Sequence, residues 1–320
     1  MDLIQLIKKL QEDQDYHSLE THEVEFKAAL KKLFRDGDLN EIVQKTLMLG
    51  LLLKYKPYGV KCSTVLGYSI FLLNQDEGFS FQRHIDFKTE LFHCIKAYSG
   101  GYAFIAENAD FAKMIKDSSI ENWWKTGKGE FSRFAKPLIS GDVIKVERPG
   151  IVHTVIGCII EEYANTSVDM VDRLFDQNKG RITPILNREK ILEKLSSSRG
   201  VTPGASYQLE NGSLHKQSIQ THTHGQGVLT YQLHESPEFS AMRMILNPGS
   251  KSEINTENQF VSLFSFNGSI TINALSASLR SLKLVASGSV ILPPGTKWAI
   301  ENAHFTDLSV LKIDKELAFL

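Results

Sequence analysis

Two segments of the chain repeat one pattern, in which a glycine-led strand, a Pro-Gly turn and a second strand follow one another. They read GDVIKVERPGIVH at 141–153 and GSVILPPGTKW at 288–298. Pro-Gly pairs mark turns, and the β-branched runs on either side favour short strands. The repeat therefore predicts that one small β-barrel is duplicated within the chain.

Short β-rich runs bounded by Gly, Pro and Asn extend over most of the chain from residue 58 onward. Such runs favour antiparallel sheets that close on themselves. Before residue 58 the apolar residues recur every three or four positions, which indicates amphipathic helices. We therefore expect a mainly β fold with two barrels in tandem, N-terminal helices and a helical insertion.

The domain boundaries follow from changes in composition along the chain. We predict an N-terminal helical region at 1–57 and a first β domain at 58–186 that contains a helical insertion at 107–130. A linker at 187–204 then leads to a C-terminal domain at 205–320. The linker contains SSSRGVTPG, whose Ser, Gly and Pro residues are typical of connecting segments.

Charge and cysteine usage exclude several classes of partner. The chain has 36 Lys plus Arg against 37 Asp plus Glu, a balance that does not favour nucleic acid or a membrane surface as a partner. Its longest apolar run, around 47–53, is far shorter than the roughly 20 residues that span a bilayer. Cys62, Cys94 and Cys158 form no Cys-x-x-Cys pair, so we expect no disulfide framework and a cytoplasmic location.

The densest polar segment is FQRHIDFKTELFH at 81–93. Its polar residues recur at every second position, which places them on one face of a strand or of a tight strand pair. They are Gln82, His84, Asp86, Lys88 and Glu90. Alternation alone allows two interpretations, a polar barrel interior that surrounds a ligand and a solvated outer face.

His153 favours the first interpretation. It follows Pro149-Gly150 and enters a strongly apolar strand, where an imidazole needs a polar partner. A histidine that is hydrogen-bonded within the core would also fit this position taken alone. Together with the polar face of 82–90, however, two imidazoles and a carboxylate form a ligand set suited to a divalent metal ion.

These motifs resemble those of the cupin superfamily and, more specifically, of type I mannose-6-phosphate isomerases. The resemblance rests on Gln82-x-His84, on KTELFH at 88–93, on RPGIVHTV at 148–155 and on IIEEYANTSVDMVDRLFD at 159–176. It implies a set of site residues: Gln82, His84, Glu90 and His153 as metal ligands, with Lys88 and Arg173 as charged catalytic positions. Ile85 stands where the family has a proline.

The resemblance implies an aldose–ketose isomerase that acts on a sugar or a sugar phosphate, of the mannose-6-phosphate/fructose-6-phosphate type, through a cis-enediol. It implies one divalent ion, Zn2+ in the first place and Mn2+ or Fe2+ as alternatives, which would act as a Lewis acid. The charge of the ion would lower the pKa of Lys88 and make it a base or proton relay, while Arg173 could hold an anionic oxygen.

Two other functions stay open, an Fe(II)-dependent cupin oxygenase and a sugar-binding protein without catalysis. We expect a small-molecule sugar or sugar phosphate as the partner, no nucleic acid or membrane, and a monomer or homodimer. Whether Asp86 replaces Gln82 as a ligand stays open as well.

The second repeat lacks the ligand types of the first. Trp298 stands three residues after Gly295, where His153 stands three after Gly150, and the segment 251–259 contains no histidine. The C-terminal domain is therefore predicted to be a degenerate, structural barrel. His222 and His224 alternate on one face and could pair on a metal ion, although an exposed strand or loop is the favoured interpretation.

Overall fold

The computed structural model describes residues 5, 28–54, 60–63, 68–73, 80–85, 88–116, 130–165, 171–176, 201–225, 227–275 and 281–315. Residues 28–36 are helical, followed by helix α1 (Leu39–Lys54), and later by helix α2 (Asn108–Lys116) and a 3-10 turn at Glu130–Arg133. The strands of the first half are β1 (Val60–Ser63), β2 (Tyr68–Leu73), β3 (Ser80–His84), β4 (Glu90–Glu107), β5 (Ala135–Pro137), β6 (Asp142–Val146), β7 (Ile151–Ala164) and β8 (Val171–Asp176).

The strands of the second half are β9 (Ala205–Glu210), β10 (Ser213–Ser218), β11 (Gln220–His224), β12 (Val228–Glu235), β13 (Phe239–Leu246), β14 (Lys251–Asn255), β15 (Gln259–Asn267), β16 (Ile270–Ala274), β17 (Leu282–Leu284), β18 (Ser289–Leu292), β19 (Lys297–Asn302) and β20 (Thr306–Asp314). The described chain is thus mainly β, as the sequence predicts.

The first half forms one large curled sheet in the order β1-β2-β7-β4-β6-β9-β10, with β3 between β7 and β8 and with β5 beside β4. Strands β4 and β7 pair over most of their length, and the register shifts near the middle of β4. At that bend a Cβ on Gly101 would lie 2.6 Å from the carbonyl oxygen of Gly157, which itself has a φ of 64°. Glycines at both positions therefore let the two long strands curl together.

The second half folds into two antiparallel sheets, in the orders β11-β12-β13-β20-β15-β18 and β14-β19-β16-β17. The core of this half is apolar and includes Leu246, Leu263, Trp298 and Val310, all fully buried. Two sheets that face one another across such a core form a barrel-like sandwich.

The two halves pack back to back. Outward-facing residues of β4 and β7, such as Leu91 and Tyr163, share one apolar cluster with outward-facing residues of β13 and β20, such as Ala241 and Leu311. Along each strand the next residue points the other way, into its own barrel, because side chains alternate in a strand. The interface is therefore made of the outer faces of two sheets whose inner faces line separate interiors.

Helix α1 lies against β18 at the end of the six-stranded sheet. Val43 and Leu47 pack into the core of the second half, and Thr46 Oγ1 lies 3.3 Å from both the backbone nitrogen and the backbone oxygen of Ile291. Covering an exposed sheet edge in this way prevents it from pairing with another chain.

The sheet pairing divides the chain differently from the predicted boundary between 204 and 205. Strand β9 pairs in parallel with β6, and β10 extends the same sheet, so both belong to the sheet of the first half. Gly204 donates its backbone N–H to Gly141 O, which brings this segment against the start of β6. Most of the predicted linker and part of the insertion, at 117–129, lie outside the described residues. None of the described helices is long and apolar enough to cross a membrane.

Candidate metal centre

His84, Glu90 and His153 come together in the interior of the first half, with one ligand atom from each residue within 4.8 Å of the others. Glu90 Oε2 lies 3.0 Å from His84 Nε2 and 3.1 Å from His153 Nε2. All three side chains are at least 98% buried. Two imidazoles and a carboxylate that converge away from solvent form a donor set suited to a divalent transition metal.

Three strands bring these residues together. His84 ends β3, Glu90 begins β4, and His153 lies near the start of β7, where it pairs with Gln82 of β3. The turn before β7 also holds β3, because Gly150 donates its backbone N–H to His84 O over 2.9 Å. Gly150 has a φ of 81°, a conformation that L-residues other than glycine rarely adopt.

The ring of His153 is oriented by its surroundings. Its Nδ1 lies 3.3 Å from Ile151 O, which favours the tautomer that leaves Nε2 as an electron-pair donor. Gln82 Nε2 lies 3.3 Å from His153 Nε2, so the amide of the fourth predicted ligand borders the group. A half-turn of that amide exchanges its nitrogen for Oε1, the atom that can bind a metal.

Lys88 contacts the opposite oxygen of the same carboxylate. Its Nζ lies 2.5 Å from Glu90 Oε1 and 3.2 Å from Glu162 Oε1, and the side chain is buried. Glu162 belongs to β7 and lies on the inner face together with Ile160. One ammonium group therefore links the candidate metal ligand Glu90 to a second carboxylate.

The charge around Glu90 favours its ionised form. Burial alone would raise the pKa of this carboxyl, but the Lys88 ammonium and hydrogen bonds with His153 and His84 outweigh it and hold the pKa well below 4.5. A buried carboxyl that stays ionised is the form that a metal ion binds.

The remaining predicted residues are placed as follows. Arg173 is the backbone partner of Gln82 between β8 and β3, which puts it one strand away from the group, and its side chain lies outside the described residues. Asp86 also lies outside them. His93 is part of the same polar segment, but it lies on the outer face of β4 and contacts Glu161 instead.

Sequence reasoning missed Glu162. The signal that could have found it is the Glu161-Glu162 pair in the otherwise apolar strand IVHTVIGCIIEEYA. Alternation puts one of two neighbouring carboxylates on each face of a strand, so one of them had to point into the barrel.

The second half has no comparable group among the residues that the structure describes. Trp298, at the position that corresponds to His153, is fully buried in the apolar core of that half. His222 and His224 lie on the exposed strand β11 with their ring centroids 6.2 Å apart, and His224 Nε2 contacts Thr230 Oγ1 at 3.0 Å.

Solved structures with similar folds include cupins. The mannose 6-phosphate isomerase from Bacillus subtilis matches with a TM-score of 0.53 at 14% identity, over 77% of this chain and 74% of that one. The formate complex of the oxalate decarboxylase from Lactobacillus farciminis matches with 0.47 at 14% identity, over 78% of each chain. A cupin 2 conserved barrel domain protein from Leptotrichia buccalis gives 0.39 at 9% identity, over 77% of this chain and 83% of that one.

No family model matches the sequence, and no curated protein matches it either. The structural likeness therefore concerns the fold, which is a tandem arrangement of cupin barrels with N-terminal helices and a helical insertion. The predicted fold class is confirmed, and the candidate metal centre lies inside the first barrel.

Proposed function

We propose that this cupin-fold chain is a metal-dependent aldose–ketose isomerase that acts on a sugar or a sugar phosphate. The observation that carries the proposal is the contact of Lys88 with Glu90 Oε1, while the other oxygen of that carboxylate faces the two imidazoles. It places a group that can transfer a proton next to a group that can bind a metal ion. Isomerisation between an aldose and a ketose needs proton transfer and stabilisation of negative charge on the sugar oxygens, and a bound metal ion can supply the second.

In this proposal His84, Glu90 and His153 hold the metal ion, with Gln82 as the fourth ligand. A divalent ion bound there supplies a Lewis acid that stabilises negative charge on the sugar oxygens of a cis-enediol. Zn2+ is the first candidate, and Mn2+ and Fe2+ suit the same donor atoms.

The chain's own residues move the proton. Lys88 Nζ lies between two carboxylates, so its ammonium can first pass one proton to Glu162. The neutral amine can then take the proton from carbon C1 or C2 and return it to the other carbon. Arg173, one strand away from Gln82, binds an anionic oxygen or a phosphate of the substrate. His84, Lys88, Glu90 and His153 are buried, which limits the access of bulk water to the reacting carbons.

The mannose 6-phosphate isomerase among the structural neighbours suggests which substrates to test first. We would load the protein with Zn2+ or Mn2+ and follow exchange of the C2 proton by NMR in deuterated water. The panel consists of mannose, fructose, lyxose and glucose, each with and without a 6-phosphate where one exists. Exchange on any member that is lost in Lys88→Met supports the proposal, and metal-loaded protein that exchanges none of them contradicts it.

A specific observation favours a second function, a cupin oxygenase. Two histidines and one carboxylate are also the ligand set of many non-haem Fe(II) oxygenases. That function predicts oxygen consumption by the Fe(II)-loaded protein, measured with an oxygen electrode, and no proton exchange on the sugar panel. A sugar-binding protein without catalysis would bind a panel member and show neither activity.

A further inference from the structure

A second group of charged residues is buried between the two barrels. We call it the interface cluster: His93 and Glu161 from the first half, with Arg243, Asp307 and Ser309 from the second. Arg243 Nη1 donates to Glu161 Oε2 and its Nη2 to Asp307 Oδ2, each over 2.5 Å. His93 Nδ1 lies 2.8 Å from the same oxygen of Glu161, and Ser309 donates a short hydrogen bond to Glu161 Oε1.

Buried charges are not in general required for two barrels to adhere. Buried ion pairs lose their hydration, and replacing such a group by apolar residues of similar volume is often neutral or stabilising. The cluster is surrounded by apolar residues such as Leu91 and Phe266, and the hydroxyl of Tyr163 also donates to Glu161 Oε1 over 3.0 Å. A fully buried arginine in such surroundings, stacked 3.9 Å over the ring of Phe266, suggests a role other than adhesion.

The cluster is connected to the candidate metal centre through one peptide unit of β7. Glu161 points outward to Arg243, and the next residue, Glu162, points inward to Lys88. Strand β4 repeats the relation, since Glu90 faces the centre and His93 faces the cluster. The contacts of Arg243 with Glu161 therefore fix the position and rotation of β7 at the point where Glu162 contacts Lys88.

We propose that Arg243 is a positioning residue for the first barrel, which acts through Glu161 and Glu162 to hold Lys88 against Glu90. Under this proposal the second barrel contributes to the centre of the first without supplying a ligand. The part that concerns proton transfer rests on the isomerase function proposed above, whereas the position of Lys88 does not.

The test uses the full-length chain and a triple variant, Glu161→Gln, Arg243→Met and Asp307→Asn, which removes the clamp and leaves no unpaired carboxylate or guanidinium in the cluster. Competitive trace acylation with acetic anhydride, read by mass spectrometry, compares the reactivity of Lys88 with that of exposed Lys251. Because Lys88 would lose its fixed contacts, we expect its relative acylation rate to rise about 10-fold. Co2+ affinity, followed by visible absorption, should fall by about 10-fold, as it does when groups that orient metal ligands are removed.

Two further variants separate positioning from general stability. Phe260→Leu loosens the same apolar interface without removing a polar member of the cluster, and it should leave Lys88 acylation and Co2+ affinity within about 2-fold of the parent. Arg243→Lys keeps the positive charge but cannot contact Glu161 and Asp307 with two separate nitrogens. It should therefore raise Lys88 acylation by less than the triple variant does.

Unchanged Lys88 acylation in a folded triple variant overturns the proposal, and so does an equal rise in Phe260→Leu. If the parent binds Co2+ but exchanges no sugar proton, the isomerase proposal fails while the acylation result still decides the role of Arg243. If sugar exchange is found, the triple variant should lower kcat more than it raises KM, because Lys88 would act in the chemical step.

Discussion

The two barrels contain the same turn, but the interior of the first holds a polar group and the interior of the second is apolar. The turn between β6 and β7 places Gly150 at a φ of 81°, and the turn between β18 and β19 places Gly295 at 84°. Three residues after these glycines stand His153 and Trp298, both buried. The backbone pattern of the repeat is thus kept, while the side chain at one position decides whether the interior gathers ligands or packs as a core.

The difference follows from what each interior can accept. Trp298 fills space among apolar neighbours such as Ile272 and Ile300, where an imidazole would lose its hydrogen bonds without gaining a partner. His153 has partners on several sides, with Glu90, Gln82 and the Ile151 carbonyl all within 3.3 Å. The same fold can therefore enclose a metal centre, where several polar groups converge, or an apolar core, where they are missing.

His153→Ala gives the largest expected effect, because it removes one donor atom of the candidate metal centre. We expect stoichiometric binding of Zn2+ or Co2+ to be lost, with affinity falling well over 100-fold, since even changes that only reorient a ligand cost about 10- to 100-fold. Metal content after dialysis, measured by mass spectrometry, checks this. His224→Ala on exposed β11 is the matched control, and one retained equivalent of metal in His153→Ala would show that the centre lies elsewhere.

Trp298→Ala tests the opposite property of the second barrel. We expect the free energy of unfolding in urea to fall by about 3–5 kcal/mol, the range for removing a large buried aromatic side chain. Metal binding should stay at one equivalent in the folded fraction, because Trp298 does not belong to the group formed by His84, Glu90 and His153. A loss below about 1 kcal/mol would mean that this interior is not a packed core.

The interface cluster makes stability depend on acid pH. Burial would raise the pKa of Glu161, but Arg243, His93 and Ser309 outweigh it and lower the pKa from 4.5 to about 2. The folded state therefore binds this proton less readily than the unfolded state does. Stability from Glu161 is fully present above about pH 4.5 and is lost as the pH falls toward 2, by up to about 3 kcal/mol.

Asp307 opposes this trend, because burial raises its pKa despite the contact with Arg243. The measurement is the free energy of unfolding between pH 6 and 2, in the parent and in the triple variant of Glu161, Arg243 and Asp307. The variant should show the smaller loss, and equal slopes for the two proteins would contradict the assignment to the cluster.

His234 joins the two barrels and makes stability depend on mildly acid pH. It stacks on Phe239 at 4.4 Å and lies 3.7 Å from Glu147, in the segment that leads to the Pro149-Gly150 turn. Burial, assisted by the charge of Lys145, lowers its pKa from 6.5 to about 4.

Because the folded state disfavours this proton, stability from His234 is present above about pH 6.5 and is lost as the pH falls to 4. We expect a loss of about 2 kcal/mol in the parent and a flatter profile in His234→Gln. His215→Gln, at an exposed position of β10, should keep the slope of the parent.

The sequence was sufficient for the fold class, because alternation and the Pro-Gly turns are local signals. Alternation left the role of the polar face at 82–90 open, and the resemblance implied the set that contains His84, Glu90 and His153. The structure brings these three residues together. It did not predict that β9 and β10 join the first sheet, since a parallel pairing of β9 with β6 depends on contacts far apart in sequence. For the same reason the pairing of Arg243 with Glu161 could not be read from either segment alone.

Thr46→Val is the smallest expected effect and tests whether the second barrel needs α1 over the edge of its sheet. The hydroxyl lies 3.3 Å from the backbone nitrogen and oxygen of Ile291, both on β18. Valine has the same shape but no hydrogen bond, so the buried backbone groups of Ile291 lose a partner at a cost of about 1–2 kcal/mol. Urea unfolding should show this loss, and Thr46→Ser should recover most of it because the hydroxyl is kept.

Equal stability of the valine variant and the parent would mean that apolar packing of Val43 and Leu47 alone holds the helix. The edge of the second barrel would then be protected by contact area and not by hydrogen bonding.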